Sequence, residues 1–256
     1  FMSKIVINKK IESFNRTILI PGDKSLSIRW VLFASLASGI SKAKNLLKSE
    51  DVVAAINAVR KLGIRVNVNK NETKIYGKGI NGYKYKKKIK INAQNSGTLA
   101  RLILGILIDT PYPIKILGDK SLSKRDFKRV TDPLSKFGAK FKFKKKHILP
   151  LTISGSSKLN SIKYIEKRGS AQCKSSVIFG AMKARGTTII KAKKSRNHTE
   201  LLCKYLGLPV LVKHKKTYDE INIKQIKKIK TLNYNIPSDI SSSAFFIGLT
   251  VLSPNS

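Results

Sequence analysis

A block of roughly seventy residues recurs along this chain, and this recurrence constrains the fold more than any other feature. Three segments end alike, with "RKLGIRV" around Gly63, "SKFGAKF" around Gly138 and "KYLGLPV" around Gly207. In each, a glycine follows a stretch of helical apolar periodicity and precedes a strand-like run, as at a helix stopped by a C-terminal cap. The sequence therefore predicts one supersecondary unit used several times.

The starts of helices recur at the same interval. "GDKSLSIRW", "QNSGTLARL", "RGSAQCKSS" and "PSDISSSAF" each follow a strand-like run, and their first small residues lie near Gly22, Ser96, Gly169 and Ser238. Each unit is predicted to contain strand, helix, strand, helix, strand, strand. In unit one these elements are Thr17–Ile20, Ser25–Ala37, Ser41–Leu46, Ser49–Leu62, Ile64–Asn69 and Thr73–Tyr76. Such alternation predicts an α/β fold.

Three units are complete, and a fourth begins at "LNYNIPSDISSSAFFIGL" shortly before the chain stops. We therefore expect this polypeptide to be a piece of a longer protein, with a final helix that lacks its packing partner. The two near-identical octapeptides "GDKSLSIR" and "GDKSLSKR" do not follow the repeat register. The first opens unit one, whereas the second lies in the middle of unit two, between the strand "YPIKIL" and the helix containing "FKRVTDPLSKFG".

The composition leaves several partners open. The 256 residues include 52 Lys and Arg against 14 Asp and Glu, for a formal charge of +38. That charge would suit nucleic acid, a membrane surface or acidic small substrates. The lysine runs alternate with Tyr, Phe or Ile, which favours solvated strand faces over a nucleic-acid patch. There is neither a membrane-length apolar run nor a signal-peptide pattern, and Cys173 and Cys203 are predicted to be reduced core residues of a cytosolic protein.

The recurring helix starts carry the candidate chemistry. A helix N-terminus offers unpaired N–H groups and a partial positive charge, which together favour anions. Hydroxyls and cations cluster at these turns: Ser25, Ser96, Thr98, Ser170 and Ser195, with Lys24, Arg29, Arg101, Arg125 and Arg196. For any single turn, helix capping remains the simpler interpretation. Asp239 is a candidate base or a cap, and His198 a candidate supporting residue. Neither octapeptide has the spacing of a nucleotide P-loop.

At these residues the chain resembles the 5-enolpyruvylshikimate-3-phosphate synthase family. "PGDKSLSIR", "NSGTLARL", "GDKSLSKR", "RGSAQCKSS", "SRNHTELL" and "PSDISSSAFF" appear in the family's order and spacing. The resemblance implies two inside-out α/β barrels of three βαβαββ units each, with substrates in the cleft between them. Residues 21–235 would form one complete three-unit substrate-binding domain, and residues 1–20 and 236–256 an incomplete part of the other. The full-length protein would be a cytoplasmic monomer.

The resemblance also implies a reaction: the enolpyruvyl group of phosphoenolpyruvate moves to the 5-hydroxyl of shikimate 3-phosphate and phosphate is released, without metal or cofactor. Lys24 would contact phosphoenolpyruvate and assist proton transfer, and Asp239 would take the proton from the attacking hydroxyl. The remaining expected contacts are Ser25 and Arg29 to the shikimate carboxylate, Asn95, Gly97 and Arg125 to phosphoenolpyruvate, Ser170, Ser195 and Arg196 to the shikimate phosphate, and Gln172 to both ligands. Ala171 in the "SAQ" form resembles the glyphosate-tolerant class.

Two departures from the family pattern qualify these expectations. Lys120 and Asp126 stand where a small residue and proline are more common, which affects the local turn. The family's acidic Glu and further Arg and Lys ligands would follow the end of this chain, so we expect no turnover from this polypeptide alone. Two alternatives remain: a UDP-N-acetylglucosamine enolpyruvyl transferase, which usually carries a reactive loop cysteine, and a basic nucleic-acid-binding α/β module.

Overall fold

The computed structural model describes residues 15–253, together with the separate residues 6 and 13. Helices and strands follow one another largely in the order that the repeat predicts. The helices are α1 (Lys24–Leu36), α2 (Glu50–Lys61), α3 (Gly97–Ile106), α4 (Lys128–Lys136), α5 (Ala171–Ala181), α6 (His198–Tyr205) and α7 (Ile240–Leu252). The strands are β1 (Ser38–Lys44), β2 (Arg65–Val68), β3 (Thr73–Lys78), β4 (Lys90–Asn92), β5 (Ile114–Leu117), β6 (Lys140–Lys145), β7 (Ile148–Ser154), β8 (Lys163–Glu166), β9 (Thr187–Lys193), β10 (Val210–His214), β11 (Tyr218–Lys224) and β12 (Tyr234–Asn235).

The three repeated helix ends behave as predicted. Gly63, Gly138 and Gly207 have φ of 86°, 120° and 64°, in the left-handed region that favours glycine over residues with a Cβ. Each of these glycines lies two residues beyond the end of the second helix in its unit: α2, α4 or α6. The shared ending therefore marks equivalent points of three units.

The strands form three sheets of one design. Their orders are β12-β1-β3-β2, β4-β5-β7-β6 and β8-β9-β11-β10. In each, the first two strands are parallel and the others are antiparallel. In the second and third sheets the buried helices α3 and α5 supply the crossover between the two parallel strands, whereas in the first sheet β1 and β12 are joined through the two intervening units. The repeat thus builds the same four-stranded sheet three times.

The first helix of each unit lies in the interior. In α1 every residue from Leu26 to Leu36 is buried, and α3 and α5 are almost as fully enclosed. The Phe33 and Phe179 rings join α1 to α5 at 4.8 Å between centroids. A Cβ on Gly105 would meet the Ser176 carbonyl oxygen at 2.0 Å, so the absence of a side chain lets α3 approach α5 closely. Helices fill the centre and the sheets lie outside, as expected for an inside-out barrel unit.

The predicted strand Thr17–Ile20 is wrong. These residues form no strand, and β12 occupies the corresponding edge of the first sheet, with Ala43 opposite Tyr234. A strand exists only where a neighbour pairs with its backbone groups. No described strand lies beside residues 17–20, and Leu19 is 94% exposed. The first sheet is therefore completed from the far end of the chain.

The two octapeptides share a local fold although they occupy different places. Asp23 Oδ1 accepts from the Leu26 N–H at 2.6 Å, and Asp119 Oδ1 accepts from the Leu122 N–H at 2.7 Å. After Asp23 the chain continues into α1, whereas after Asp119 it makes a 3₁₀ turn, Leu122–Lys124, and stops. The likeness is therefore one capping device used at two positions.

Helix α7 carries apolar side chains that nothing among the described residues covers. None of its residues is buried, and Ile240, Phe245 and Leu252 are 72%, 82% and 83% exposed. This agrees with the expectation of a last helix without its packing partner. Across the described part of the chain, no helix combines the length and apolar character needed to cross a membrane.

Candidate active site

The N-termini of four helices meet at one cleft of about 730 Å³. They are α1, α3, α5 and α7, the helices whose starts recur in the sequence. The predicted convergence of these turns is therefore confirmed. The cleft is lined by Asp23, Lys24, Ser25, Arg29, Leu47, Asp51, Asn95, Gly97, Thr98, Arg125, Ala171, Gln172, Arg196, Asp239, Ser241, Ser242 and Phe245.

Most of the predicted site residues line this cleft, and the exceptions are Ser96, Arg101, Ser170, Ser195 and His198. Ser170 is the N-cap of α5, directly before Ala171, and its side-chain oxygen accepts from the Cys173 N–H at 3.3 Å. The hydroxyl oxygen of Ser195 is buried and has no hydrogen-bond partner among the described residues. Both hydroxyls therefore keep a proton that they can donate to a bound anion.

The capping interpretation of the four turns also holds. Asp23, Ser96, Ser170 and Asp239 are the N-caps, and each side chain accepts a backbone N–H of the first turn. In Asp239, Oδ1 accepts from the Ser241 N–H at 2.8 Å. Oδ2 of the same carboxylate has no partner among the described residues. Capping and ligand binding are therefore compatible at these turns, since a cap uses only part of the polar side chain.

Arg29 lies one turn into α1 and is only 2% exposed, yet it reaches the cleft. Its Nη1 donates to the hydroxyl and the carbonyl oxygen of Ser25, at 2.5 and 3.1 Å. Burial lowers the pKa of Arg29 to about 10, while Glu200 and Asp23 oppose that shift. Because this pKa is still well above 7, the guanidinium remains a cation near neutral pH.

Two more guanidinium groups crowd the start of α3. A Cβ on Gly97 would lie 2.8 Å from Arg101 Nη1 and 3.2 Å from Arg125 Nη1. Arg101 is 3% exposed, its Nε has no hydrogen-bond partner among the described residues, and burial lowers its pKa. Cations at the positive end of a helix repel the dipole. An anion in the cleft would relieve that repulsion.

Gln172 is held from both sides. Arg101 Nη1 donates to its Oε1 at 2.7 Å, and its Nε2 donates to the Thr98 hydroxyl oxygen at 3.0 Å. Thr98 belongs to α3 and Gln172 to α5, so the amide bridges the two helix starts. Because Thr98 accepts this bond, its hydroxyl proton remains free for the cleft.

Two carboxylates that were not predicted as site residues, Asp51 and Asp119, position polar side chains of the cleft. Lys24 Nζ lies 3.1 Å from Asp51 Oδ2. Asp119 Oδ2 accepts from Asn95 Nδ2 at 2.6 Å, and Arg125 Nη2 lies 3.5 Å from Asn95 Oδ1. Hydrogen bonds from the Leu122 N–H and then from Asn95 lower the pKa of Asp119. The Gly-Asp pair that both octapeptides share was the available signal for this capping and positioning role.

His198 is in contact with the site, as one of the interpretations of the sequence allowed. Its Nδ1 lies 3.1 Å from the Ser25 hydroxyl oxygen and 3.9 Å from Asp23 Oδ1. Burial lowers its pKa, and the charge of Asp23 partly counters that effect. His198 therefore approaches the cleft through Ser25 rather than lining it.

The cysteines do not take a catalytic position. Cys173 lies in α5 and Cys203 in α6, and both are buried and unpaired. Burial raises the pKa of each thiol, which disfavours the reactive thiolate. This placement argues against the alternative transferase with a reactive loop cysteine.

Comparisons with known proteins agree with the family resemblance. The sequence model described as EPSP synthase (3-phosphoshikimate 1-carboxyvinyltransferase) matches residues 8–256. The 3-phosphoshikimate 1-carboxyvinyltransferases of Caldicellulosiruptor bescii and Bacillus subtilis are 39% and 38% identical over 255 and 249 residues. Each alignment covers 96% of this chain and 57% of the relative. An EPSP synthase structure from Acinetobacter baumannii matches with a TM-score of 0.82 and 33% identity, over 90% of this chain and 51% of that chain.

Proposed function

The chain belongs to the EPSP synthase family, and we propose that it supplies part of the active site of a 3-phosphoshikimate 1-carboxyvinyltransferase. This enzyme would transfer the enolpyruvyl group of phosphoenolpyruvate to the 5-hydroxyl of shikimate 3-phosphate. The observation that carries the proposal is the meeting of four helix N-termini and several cations at one cleft. The chain spans little more than half the length of its relatives, so the activity is assigned to the larger protein.

The shikimate 3-phosphate side of the cleft would be formed by α1, α5 and the segment before α6. Ser25 and Arg29 would receive the carboxylate. The free hydroxyl protons of Ser170 and Ser195, with the exposed cation of Arg196, would receive the phosphate. Charge-assisted hydrogen bonds of this kind are the strong ones in ligand recognition.

The phosphoenolpyruvate side would be formed by the start of α3 and the second octapeptide. Gly97 leaves room for the two guanidinium groups of Arg101 and Arg125 beside the helix N-terminus. Asn95 lies next to Arg125, and Lys24 faces the same cleft from α1. Gln172, fixed by Arg101 and Thr98, would lie between the two ligands.

The chemistry requires one proton to be added at C3 and two to be removed, the first from the attacking hydroxyl and the second from C3. The 5-hydroxyl oxygen attacks C2 of phosphoenolpyruvate while C3 is protonated, and the phosphate then leaves as C2 regains its double bond by losing a proton from C3. Lys24 would assist these proton transfers, with Asp51 holding its ammonium group. Asp239 would act as base only through Oδ2, since Oδ1 caps α7. An Asp239→Asn variant that keeps full activity in the full-length protein would limit this residue to capping.

The proposal is tested by calorimetric titration of the chain with shikimate 3-phosphate. We expect saturable binding to one site, weakened about tenfold in Arg196→Gln, which loses one charge-assisted contact. Arg185→Gln is the matched control, because it removes an exposed arginine outside the cleft. Equal weakening in both variants would mean that the +38 charge attracts the ligand non-specifically, and would contradict the proposed site.

Three further expectations rest on the same family membership. We propose that the protein acts in the cytoplasm, where two unpaired cysteines stay reduced, and that the full-length enzyme is a monomer. Ala171 favours glyphosate tolerance. A DNA-binding titration against salt separates the enzyme from the basic nucleic-acid module, because the latter requires a steep salt dependence of affinity.

A further inference from the structure

Arg29 is held in place by oxygen atoms of neutral groups on three different helices. Nε donates to the Thr199 hydroxyl oxygen of α6 at 2.7 Å, and Nη2 donates to the Ser175 hydroxyl oxygen of α5 at 3.1 Å. Nη1 is bound by Ser25 of α1 itself. No carboxylate in the described part of the chain forms an ion pair with this guanidinium. Its orientation is therefore fixed without its charge being neutralised by a direct partner.

Thr199 has a defined place in this arrangement. Its hydroxyl accepts from Arg29 Nε and donates to the Ser175 hydroxyl oxygen at 2.7 Å. The hydroxyl has one proton, which it donates to Ser175, and it accepts from Arg29 Nε, so the direction of both hydrogen bonds is fixed. Thr199 is fully buried, so water cannot replace either bond without a rearrangement.

A neighbouring ion pair sets the position of α6 against α5. Lys174 Nζ lies 2.6 Å from Glu200 Oε1, and the two side chains are 0% and 6% exposed. Lys174 precedes Ser175 and Glu200 follows Thr199, so two cross-links stand side by side between the same helices. The ion pair holds the helices together, and the hydroxyl pair next to it receives Arg29.

We propose that Thr199 is a positioning residue for Arg29, and that the hydroxyl cradle of Thr199, Ser175 and Ser25 aims an uncompensated guanidinium at the carboxylate of the ligand. This inference rests on the proposed function, because the ligand is taken to be shikimate 3-phosphate. It goes beyond that proposal by assigning the affinity for the carboxylate to two residues outside the cleft. A carboxylate partner in place of the hydroxyls would orient Arg29 equally well but would compete with the ligand for its charge.

The test compares Thr199→Val with Thr199→Ser by calorimetric titration of the chain with shikimate 3-phosphate. Valine keeps the shape but leaves Arg29 Nε without its acceptor, and we expect about tenfold weaker binding. Serine restores the hydroxyl, and binding should return to within about threefold of the parent. Thr188→Val is the matched control: Thr188 is also fully buried and accepts one backbone N–H at 3.3 Å, but it lies in β9. Its binding should equal that of the parent.

A second ligand and a second variant separate positioning from a structural role. Inorganic phosphate lacks the carboxylate, so its binding should be the same in Thr199→Val and in the parent. Ser175→Ala, which removes one acceptor without adding volume, should weaken shikimate 3-phosphate binding about fivefold if Thr199→Val does not fold. Equal loss for both ligands would show a general loosening of the site and overturn the inference.

The outcomes also distinguish this inference from the proposed function. If the parent binds shikimate 3-phosphate and Thr199→Val binds it equally well, the positioning role is wrong and the proposed function stands. If the folded parent binds neither shikimate 3-phosphate nor phosphate, the proposed function is wrong and the inference falls with it. The NMR signal of the Arg29 Nε–H proton provides an independent check. This proton should exchange with water faster in Thr199→Val than in the parent, because its acceptor is lost, and at the parent's rate in Thr188→Val.

Discussion

The two ends of the buried helices carry cations in opposite electrostatic settings. At the far end, beyond the C-termini of α3 and α5, Lys183 is 5% exposed and lies 2.6 Å from Asp109 Oδ1. A cation there complements both a carboxylate and the negative end of a helix. At the cleft end, Arg101 and Arg125 crowd the positive start of α3, and neither has a carboxylate ion-pair partner within the described part of the chain.

We interpret this difference as one between charges that stabilise the fold and charges that would bind a ligand under the proposed function. At the far end, the Asp109 carboxylate of the protein itself balances the charge of Lys183. At the cleft, repulsion among cations and helix dipoles remains until an anion arrives, which is the usual compromise between stability and activity at functional sites. Variants at the two ends should therefore change stability in opposite directions.

The largest effect is expected at the far end. Lys183→Met leaves the half-buried Asp109 carboxylate without its partner and removes a cation from the helix C-termini. We expect the free energy of unfolding to fall by about 2–3 kcal/mol, measured by urea denaturation. Lys158→Met, an exposed lysine of a neighbouring loop, is the control and should stay within about 0.5 kcal/mol. Equal losses of stability in the two variants would show that the Lys183–Asp109 ion pair does not stabilise the fold.

The next effect concerns the space at the start of α3. In Gly97→Ala the new Cβ would displace Arg101 and Arg125, so phosphoenolpyruvate binding in the presence of shikimate 3-phosphate should weaken about tenfold. Stability should not fall, because alanine favours a helix by up to about 1 kcal/mol over glycine. Gly248→Ala in α7, where a Cβ meets nothing within 4 Å, should give the helix gain without the loss of binding. Unchanged binding in Gly97→Ala would show that the two guanidinium groups do not act at the ligand.

A smaller effect tests the repulsion at the cleft directly. Arg125→Gln should raise the free energy of unfolding by about 0.3–1 kcal/mol at low ionic strength, since it removes a cation from the positive end of α3. The gain should shrink as salt screens the repulsion. Arg185→Gln, beyond the C-terminus of α5, should not stabilise the protein at any salt concentration. A stabilisation of the same sign and size at both ends would point to the overall +38 charge instead.

The smallest effect is a pH dependence from His198. Burial lowers the pKa of His198 in the folded protein. As the pH falls through about 6.5, His198 is therefore protonated in the unfolded chain before it is protonated in the folded chain. Stability should be complete above that pH and decrease below it. In His198→Gln the decrease below pH 6.5 should be shallower, measured by thermal unfolding across pH 5–8. A steeper decrease in the variant would mean that protonated His198 stabilises the fold through Asp23.

The sequence predicted the features that depend on local chemistry. Small residues and acids at the helix starts, and glycine after Leu62, Phe137 and Leu206, specify their own conformations within a few residues. The convergence of the turns followed from the repeat, since equivalent points of equivalent units lie on one face. The expected ligands came from the family resemblance.

Features that depend on distant partners were missed. The strand predicted at residues 17–20 has the right composition, but only the tertiary structure shows that Tyr234 and Asn235 pair with β1 in its place. The burial of Arg29 was also missed, because its acceptors lie about 150 residues or more away in sequence, on α5 and α6. The aspartate at the second position of each octapeptide, followed by a lysine, is typical of a surface residue until the backbone N–H that it caps is known.

The pairing of β12 with β1 has a consequence for the order of assembly during synthesis. The second and third sheets are contiguous in sequence, so each can close as soon as its own unit has emerged from the ribosome. The first sheet has an open edge until residues 234–235 have been synthesised, and the bridge between Gly22 and Ser238 likewise cannot form before residue 238 has been made. Contacts this distant in sequence form slowly. The first of the three sheets is thus the last to be completed, and one edge of β1 stays unpaired until residues 234–235 have been made.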